Sequence, residues 1–197
     1  MKPVERIVDA ARSCFAAKGY AGTTIADIET AAGYTPRSGG VYRHFRSKEA
    51  MLEAVIDAEL DANRDAVINV DDPAPGTTPA DVLEQTVRRG LEQLDRQAEL
   101  MRILFGDLDR FPRLVDKVRA GLTDATYRDF ADRLGAAHAV GRIPELDFEA
   151  VAVLAIGPVV DFKIKQHLLG FTPLDLSEKR FVHAWVHLFS RLFEIDR

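Results

Sequence analysis

Residues 23–49, TTIADIETAAGYTPRSGGVYRHFRSKE, contain the helix start and stop signals that decide the N-terminal fold. Thr24 is followed three residues later by an acidic residue, the pattern of a capping box at the start of a helix. Gly33 predicts the end of that helix, since glycine commonly follows the last turn. Thr35 and Pro36 predict the start of another helix, because a hydroxyl residue caps a helix and proline suits its first position. The stretch therefore predicts two short helices joined by a tight glycine turn.

Apolar residues at three- and four-residue spacing predict helices on both sides of this stretch. Glycine and proline separate the later segments, and a loop is predicted over Asp71–Ala80. The sequence has no segment of strict apolar–polar alternation, so the predicted fold class is all-α. The predicted helices are 3–18, 24–32, a short helix from Thr35, 48–69, 79–97, 99–108, 112–140, 147–169 and 177–195.

Charge is distributed unevenly along the 197 residues. The first 50 residues hold eight basic and five acidic residues, whereas the remainder holds 18 basic and 26 acidic residues. The net charge of −5 argues against a general nucleic-acid binder. The basic N-terminal part favours a local contact with an anionic partner, although chance produces an imbalance of this size as well.

Cysteine content and hydropathy indicate the compartment. Cys14 is the only cysteine, so an intramolecular disulfide is impossible, which fits a reducing cytosol. The N-terminus lacks the charged-then-apolar pattern of a signal peptide. The longest apolar stretch, Val151–Val160, is too short to span a membrane. We therefore expect a soluble, cytoplasmic protein.

The predicted order of one longer helix and two short helices across a glycine turn is the layout of a helix-turn-helix motif. In such motifs the second short helix enters the major groove of DNA. Four features reinforce this interpretation by their order and spacing: Phe15 in the first helix, Thr23-Thr24, Gly33 and the ending Tyr42-Arg43-His44-Phe45-Arg46-Ser47-Lys48-Glu49.

These features resemble the DNA-binding domain of TetR-family transcriptional regulators over about the first quarter of the chain. The sequence departs from the family pattern by about two additional residues between the turn glycine and Tyr42. The resemblance implies an N-terminal three-helix DNA-binding domain over residues 1–50. It also implies a helical ligand-binding and dimerisation domain over residues 51–197. The expected protein is a ligand-responsive regulator, with repression as the family's usual mode.

The resemblance and the side-chain chemistry together give candidate DNA contacts. Arg37 is the best candidate for base reading, because a guanidinium can bind guanine O6 and N7 with two hydrogen bonds; a phosphate contact is the open alternative. Lys48 and the hydroxyl of Thr24 are candidate phosphate contacts. The full set of candidates is Thr24, Thr35, Pro36, Arg37, Ser38, Tyr42, Arg43, His44 and Lys48.

The acidic remainder is expected to bind a mostly apolar small molecule. Large side chains on the middle helices are the candidate contacts, because aromatic and methionine residues line adaptable cavities. For any one of them an ordinary core position is the alternative. The candidates are Met101, Leu104, Phe105, Leu108, Phe111, Tyr127, Phe130, His138 and Phe162.

The last two predicted helices carry more apolar surface than a chain of this size readily buries. Segments 148–165 and 181–195 are apolar on several sides, which favours burial across a homodimer as a four-helix arrangement. A fully covered monomer core is the alternative.

Other function classes have little support in the sequence. The sequence has no phosphate-binding glycine loop and no nucleophile or metal-ligand cluster of the kind that enzymes use, so we expect no cofactor and no enzymatic activity. His183 and His187 have a spacing that can bind metal, but a third ligand is not evident in the sequence. A helical dimer that acts through protein contacts, without specific DNA binding, remains the alternative function.

Overall fold

The computed structural model describes residues 2–68 and 76–193, and within these ranges the chain is helical with no β-strand. The all-α prediction is therefore confirmed. No helix among the described residues is long and apolar enough to cross a membrane. The α-helices are α1 Pro3–Gly22, α2 Ile25–Ala31, α3 Lys48–Ile68, α4 Pro79–Arg96, α5 Ala98–Asp107, α6 Pro112–Val118, α7 Ala125–Ala139, α8 Phe148–Ile164 and α9 Glu178–Leu192.

Two predicted long helices are interrupted. The predicted helix 112–140 consists of α6 and α7 with a wide π-helical turn, Arg119–Asp124, between them. Gly121 lies in this turn against Leu60, so close that an added Cβ would lie 2.9 Å from Leu60 Cδ1. The predicted helix 147–169 consists of α8 followed by a second wide turn, Lys165–Leu169. Residues 71–75 of the predicted loop and the predicted end of the last helix at 194–195 lie outside the described residues.

The described residues form two compact units. Those of Met1–Ala66 and Gln97–Leu122 form the first unit, and those of Val67–Arg96 and Thr123–Arg197 form the second unit. In the first unit α5 packs against α1, so residues beyond position 97 belong to the same core as the N-terminal helices. The functional division at residue 50 is a different boundary from this one and stays a prediction.

The core of the first unit joins the short N-terminal helices to α3 and α5. Phe15 and Ile28 are buried in one cluster, and Phe45 packs against this cluster as the sequence predicted. Burial of aromatic and branched side chains of this kind supplies most of the driving force for a small helical core. Other buried members include Ile7, Ala11, Val41, Met51, Leu52, Val55, Ile56 and Ile103.

The second unit packs α4 and α7 against α8, and α4 against α9. Trp185 lies in this core and donates its indole N–H to the backbone carbonyl of Ala155, 2.9 Å away, which joins α9 to α8. Phe162 stacks on Phe181 with 4.7 Å between ring centroids. Lys163 is 1% exposed among these apolar residues, and its ammonium binds Asp95 of α4 and Glu178 of α9.

Candidate nucleic-acid interface

The capping box at Thr24 sets the start of α2. The Asp27 amide donates to the Thr24 hydroxyl oxygen, and the Thr24 amide donates to the Asp27 carboxylate at 2.8 Å. Lys18 of α1 donates to the same carboxylate at 2.7 Å. The hydrogen bond from Lys18, followed by those from Thr24, holds the pKa of Asp27 well below its usual range. Asp27 is therefore ionised at neutral pH and fastens α2 to α1.

The segment after α2 is a turn rather than the predicted helix. Its first residues close α2: the Gly33 amide donates to the carbonyl of Thr30, and the Tyr34 amide donates to the carbonyl of Glu29. The Ser38 amide then donates to the Thr35 carbonyl, which closes one tight turn. The prediction that Thr35 and Pro36 start a recognition α-helix is wrong.

Backbone geometry explains this difference. Arg37 has φ 61° and Gly39 has φ 71°, so the chain enters the left-handed region twice within three residues. A right-handed helix cannot continue through such residues. Only a 3-10 turn, Gly40–Arg43, follows before α3. Residues 35–44 are called the recognition turn below.

Gly40 occupies a place where a side chain does not fit. A Cβ at this position would lie 2.7 Å from Cδ1 of the Tyr34 ring. The guanidinium of Arg6 lies over this ring, 5.4 Å from its centroid, which favours its present position. The adjacent glycines therefore serve different needs: Gly39 allows positive φ and Gly40 allows close approach to Tyr34.

We expect Gly40→Ala to destabilise the protein by about 1–3 kcal/mol, the usual cost of forcing an extra methyl group into a filled site. Urea denaturation measures the change. Gly106→Ala is the matched control, because a Cβ on that helical glycine meets nothing within 4 Å. Equal behaviour of the two variants would contradict the close contact with Tyr34.

The candidate DNA contacts of the recognition turn lie on the surface. Thr35, Pro36, Arg37, Ser38, Tyr42, Arg43 and His44 are all exposed. Val41, between them, is fully buried and anchors the turn to the core. The structure thus brings seven of the nine candidates into one short segment of the surface. Thr24 is also exposed, at the start of α2.

Lys48, the first residue of α3, has partners that the sequence did not reveal. Its ammonium donates to the backbone carbonyls of Tyr20 at 2.6 Å and Thr23 at 2.8 Å, and it lies 4.2 Å from the centroid of the Tyr20 ring. The side chain therefore ties the start of α3 to the end of α1. A phosphate contact by Lys48 stays a prediction beside this structural role.

The nine candidate effector contacts divide between the two units. In the first unit Met101 and Leu108 are buried, Leu104 and Phe111 pack against the core, and Phe105 is 63% exposed. In the second unit Phe162 is buried, and Phe130 packs against the core. Tyr127 and His138 are partly buried, and His138 Nδ1 lies 3.1 Å from the Ile143 carbonyl oxygen. Their role as effector contacts stays a prediction.

Among residues 2–68 and 76–193, no group of three His, Cys, Asp or Glu side chains converges in a way that could hold a metal ion. His183 and His187 lie on the exposed side of α9.

Sequence comparison supports the interpretation of this geometry. Residues 7–55 match the family model of the bacterial regulatory proteins of the tetR family. The regulator YerO of Bacillus subtilis is 32% identical over 83 residues, which are 42% of this chain and 28% of that protein. The regulator TtgR of Pseudomonas putida is 28% identical over 187 residues, 92% of this chain and 86% of that protein.

Structural comparison extends the likeness of fold to nearly the whole chain. A TetR-family regulator from Mesorhizobium loti has a TM-score of 0.75 and 21% identity over 96% of this chain and 95% of that one. The family match over residues 7–55 indicates a helix-turn-helix DNA-binding domain at the N-terminus. The family match over residues 7–55 and the similarity to TtgR over most of the chain support a TetR-family transcriptional regulator.

Proposed function

We propose that this regulator is a homodimeric, cytoplasmic repressor that a mostly apolar small molecule releases from a pseudo-palindromic operator. The observation that supports DNA reading is the recognition turn, an exposed polar and basic segment fixed to the core through Val41. In a dimer, two such turns would read half-sites about 34–36 Å apart, one helical turn of DNA.

Exposed apolar side chains on α8 and α9 support the homodimer. On α8, Val153 is 57% exposed and Leu154 is 65% exposed. On α9, Leu188 is 62% exposed and Leu192 is 37% exposed. Exposed apolar side chains on neighbouring helices are typical of a protein interface. A second copy would cover both helices by a symmetric four-helix contact.

We expect Leu188→Arg to convert the dimer to a monomer, because a charged side chain would be buried in the apolar contact. Light scattering coupled to gel filtration measures the mass. Leu174→Arg is the control, since Leu174 is 98% exposed but lies in the loop before α9. A dimer that survives Leu188→Arg would place the interface elsewhere.

The effector is proposed to bind in the second unit, whose candidate contacts are Tyr127, Phe130, His138 and Phe162. The candidates in the first unit, Met101, Leu104, Phe105, Leu108 and Phe111, stay predictions beside them. Release from DNA requires that the effector bind the DNA-incompetent state more tightly than the competent one. A thermal-shift screen with aromatic and fatty-acyl compounds identifies binders of the folded protein. A binder should then lower the fluorescence anisotropy of a labelled operator duplex bound to the protein. Binders that leave the anisotropy unchanged would contradict release by an apolar effector.

A further inference from the structure

A buried carboxylate lies directly beneath the recognition turn. Glu29, in the last turn of α2, has 0% of its surface exposed. One of its oxygens, Oε1, accepts a hydrogen bond from the Ser38 hydroxyl at 3.4 Å. The other, Oε2, is buried and has no hydrogen-bond partner within the described part of the chain. A buried carboxylate is costly, so its presence here calls for a role.

Ser38 makes a second hydrogen bond, to the next part of the turn. Its hydroxyl oxygen accepts a hydrogen bond from the Gly40 amide at 3.2 Å while its proton is directed to Glu29. The hydroxyl has only one proton. Ser38 therefore cannot donate to a base or a phosphate while this arrangement holds, although the sequence made it a candidate DNA contact.

The two hydrogen bonds span the part of the turn with unusual backbone geometry. Arg37 and Gly39, the residues with positive φ, flank Ser38 directly. The position of a Cβ on Gly40 is filled by the Tyr34 ring, next to the Ser38 hydroxyl. The turn is thus held from within by Glu29 and Ser38 and from the side by Tyr34, and Arg37 is exposed at its outer end.

We propose that Glu29, acting through Ser38, is a positioning residue that sets the conformation of the recognition turn and thereby the base preference of the protein. Glu29 cannot touch DNA, since it is fully buried. Its effect on base preference is therefore transmitted through the backbone of the turn. The proposal rests on DNA reading by this turn.

The test compares full-length variants in selection from a random double-stranded DNA library, followed by titration of the selected duplex at several salt concentrations. Glu29→Leu removes the acceptor and keeps an apolar side chain of similar size, so we expect the melting temperature to be unchanged or higher. The specific affinity should fall about fivefold, the usual effect of losing one hydrogen bond. The base preference should flatten across the positions that the turn reads.

Two further variants give the matched controls. Glu29→Gln keeps an oxygen that accepts from Ser38, so it should retain the wild-type base preference. Ser38→Ala should reproduce the loss of Glu29→Leu, and the double variant should lose no more than either single one, because the two residues act as one unit. The slope of log affinity against log salt should stay unchanged in all three.

Several outcomes would overturn the proposal. Wild-type base preference in Glu29→Leu together with altered preference in Ser38→Ala would mean that Ser38 acts on DNA directly. A salt slope reduced by about one in Ser38→Ala would make Ser38 a phosphate contact. If Glu29→Leu fails to fold, the Ser38→Ala variant provides the test. A change in base preference confined to one base pair overturns the proposal. A loss of base preference across the positions that the turn reads supports it. Selection of no motif by the wild-type protein would instead refute DNA reading itself.

Discussion

Replacing both carboxylates that pair with Lys163 by amides should lower the free energy of unfolding by about 3 kcal/mol, because it leaves a buried charge with only neutral oxygens to accept its hydrogen bonds. In Asp95→Asn/Glu178→Gln the ammonium stays in a site where the side chain is 2% exposed. In the wild-type protein its nitrogen lies 2.7 Å from Asp95 Oδ1 and 2.9 Å from Glu178 Oε2. Urea denaturation of the full-length protein measures the change, with the fluorescence of Trp185 reporting the unfolding of the second unit.

Two controls distinguish the effect of a buried, poorly compensated charge from the effect of losing an ion pair as such. Lys163→Met should lower the free energy of unfolding by less than the double variant does. Methionine occupies the space of the lysine methylene groups, and the two carboxylates, each 44% exposed, stay in water. Glu84 forms a surface ion pair with Arg88 on the same helix, and its exposure is similar to that of Asp95 and Glu178. Glu84→Gln breaks this pair and should lower the free energy of unfolding by less than about 0.5 kcal/mol. A double variant no less stable than Glu84→Gln would contradict a buried charge at Lys163.

The same cluster gives a pH dependence. Burial acts to raise the pKa of Asp95, but hydrogen bonds from Lys163 and His167 outweigh it and hold the pKa below its ordinary value. A carboxylate with a lowered pKa in the folded state stabilises the fold above its unfolded pKa of about 3.9, and the contribution is lost as pH falls through the folded value. The wild-type protein should therefore lose more stability than Asp95→Asn on acidification below about pH 4.

Arg37→Gly should abolish specific DNA binding and leave the fold intact. If Arg37 reads guanine with two hydrogen bonds, each copy contributes about 1–3 kcal/mol of discrimination, and a dimer loses this twice. Stability should be unchanged or slightly higher, because glycine adopts the positive φ of this position without strain. Fluorescence anisotropy with the selected duplex measures affinity, and thermal melting measures stability.

Arg37→Lys distinguishes the two possible contacts. Lysine keeps the charge but lacks the planar fork of arginine. Retained affinity and base preference in Arg37→Lys would assign Arg37 to phosphate. Loss of preference at one base position, with the salt slope unchanged, would assign it to a base edge. Wild-type binding by Arg37→Gly would remove Arg37 from the interface.

Local signals in the sequence predicted α2 well and the recognition turn poorly. The Thr24 capping box lies within four residues, so the sequence shows it directly, and the structure confirms it. Thr35 and Pro36 carry an equally clear helix signal. That signal is overridden by positive φ at Arg37 and Gly39 and by the contact of Gly40 with Tyr34, which depend on packing.

Long-range partners explain most of what the sequence did not show. Lys48 binds carbonyls 28 and 25 residues earlier in the chain, and no spacing rule indicates such pairs. The sequence does not distinguish Glu29 from other helical acidic residues, although it is fully buried beneath the recognition turn. Similarly, apolar spacing predicted α5 but could not indicate that it packs against α1.

The central claim is sequence-specific DNA binding through the recognition turn. The most direct measurement is fluorescence anisotropy of the full-length protein with labelled duplexes from the region upstream of its own gene, each paired with a shuffled duplex, across a range of salt. We expect one duplex to bind more tightly than its shuffled partner, with log affinity falling linearly against log salt. Equal binding of all duplexes with a flat salt response would contradict the claim and favour a helical dimer that acts through protein contacts.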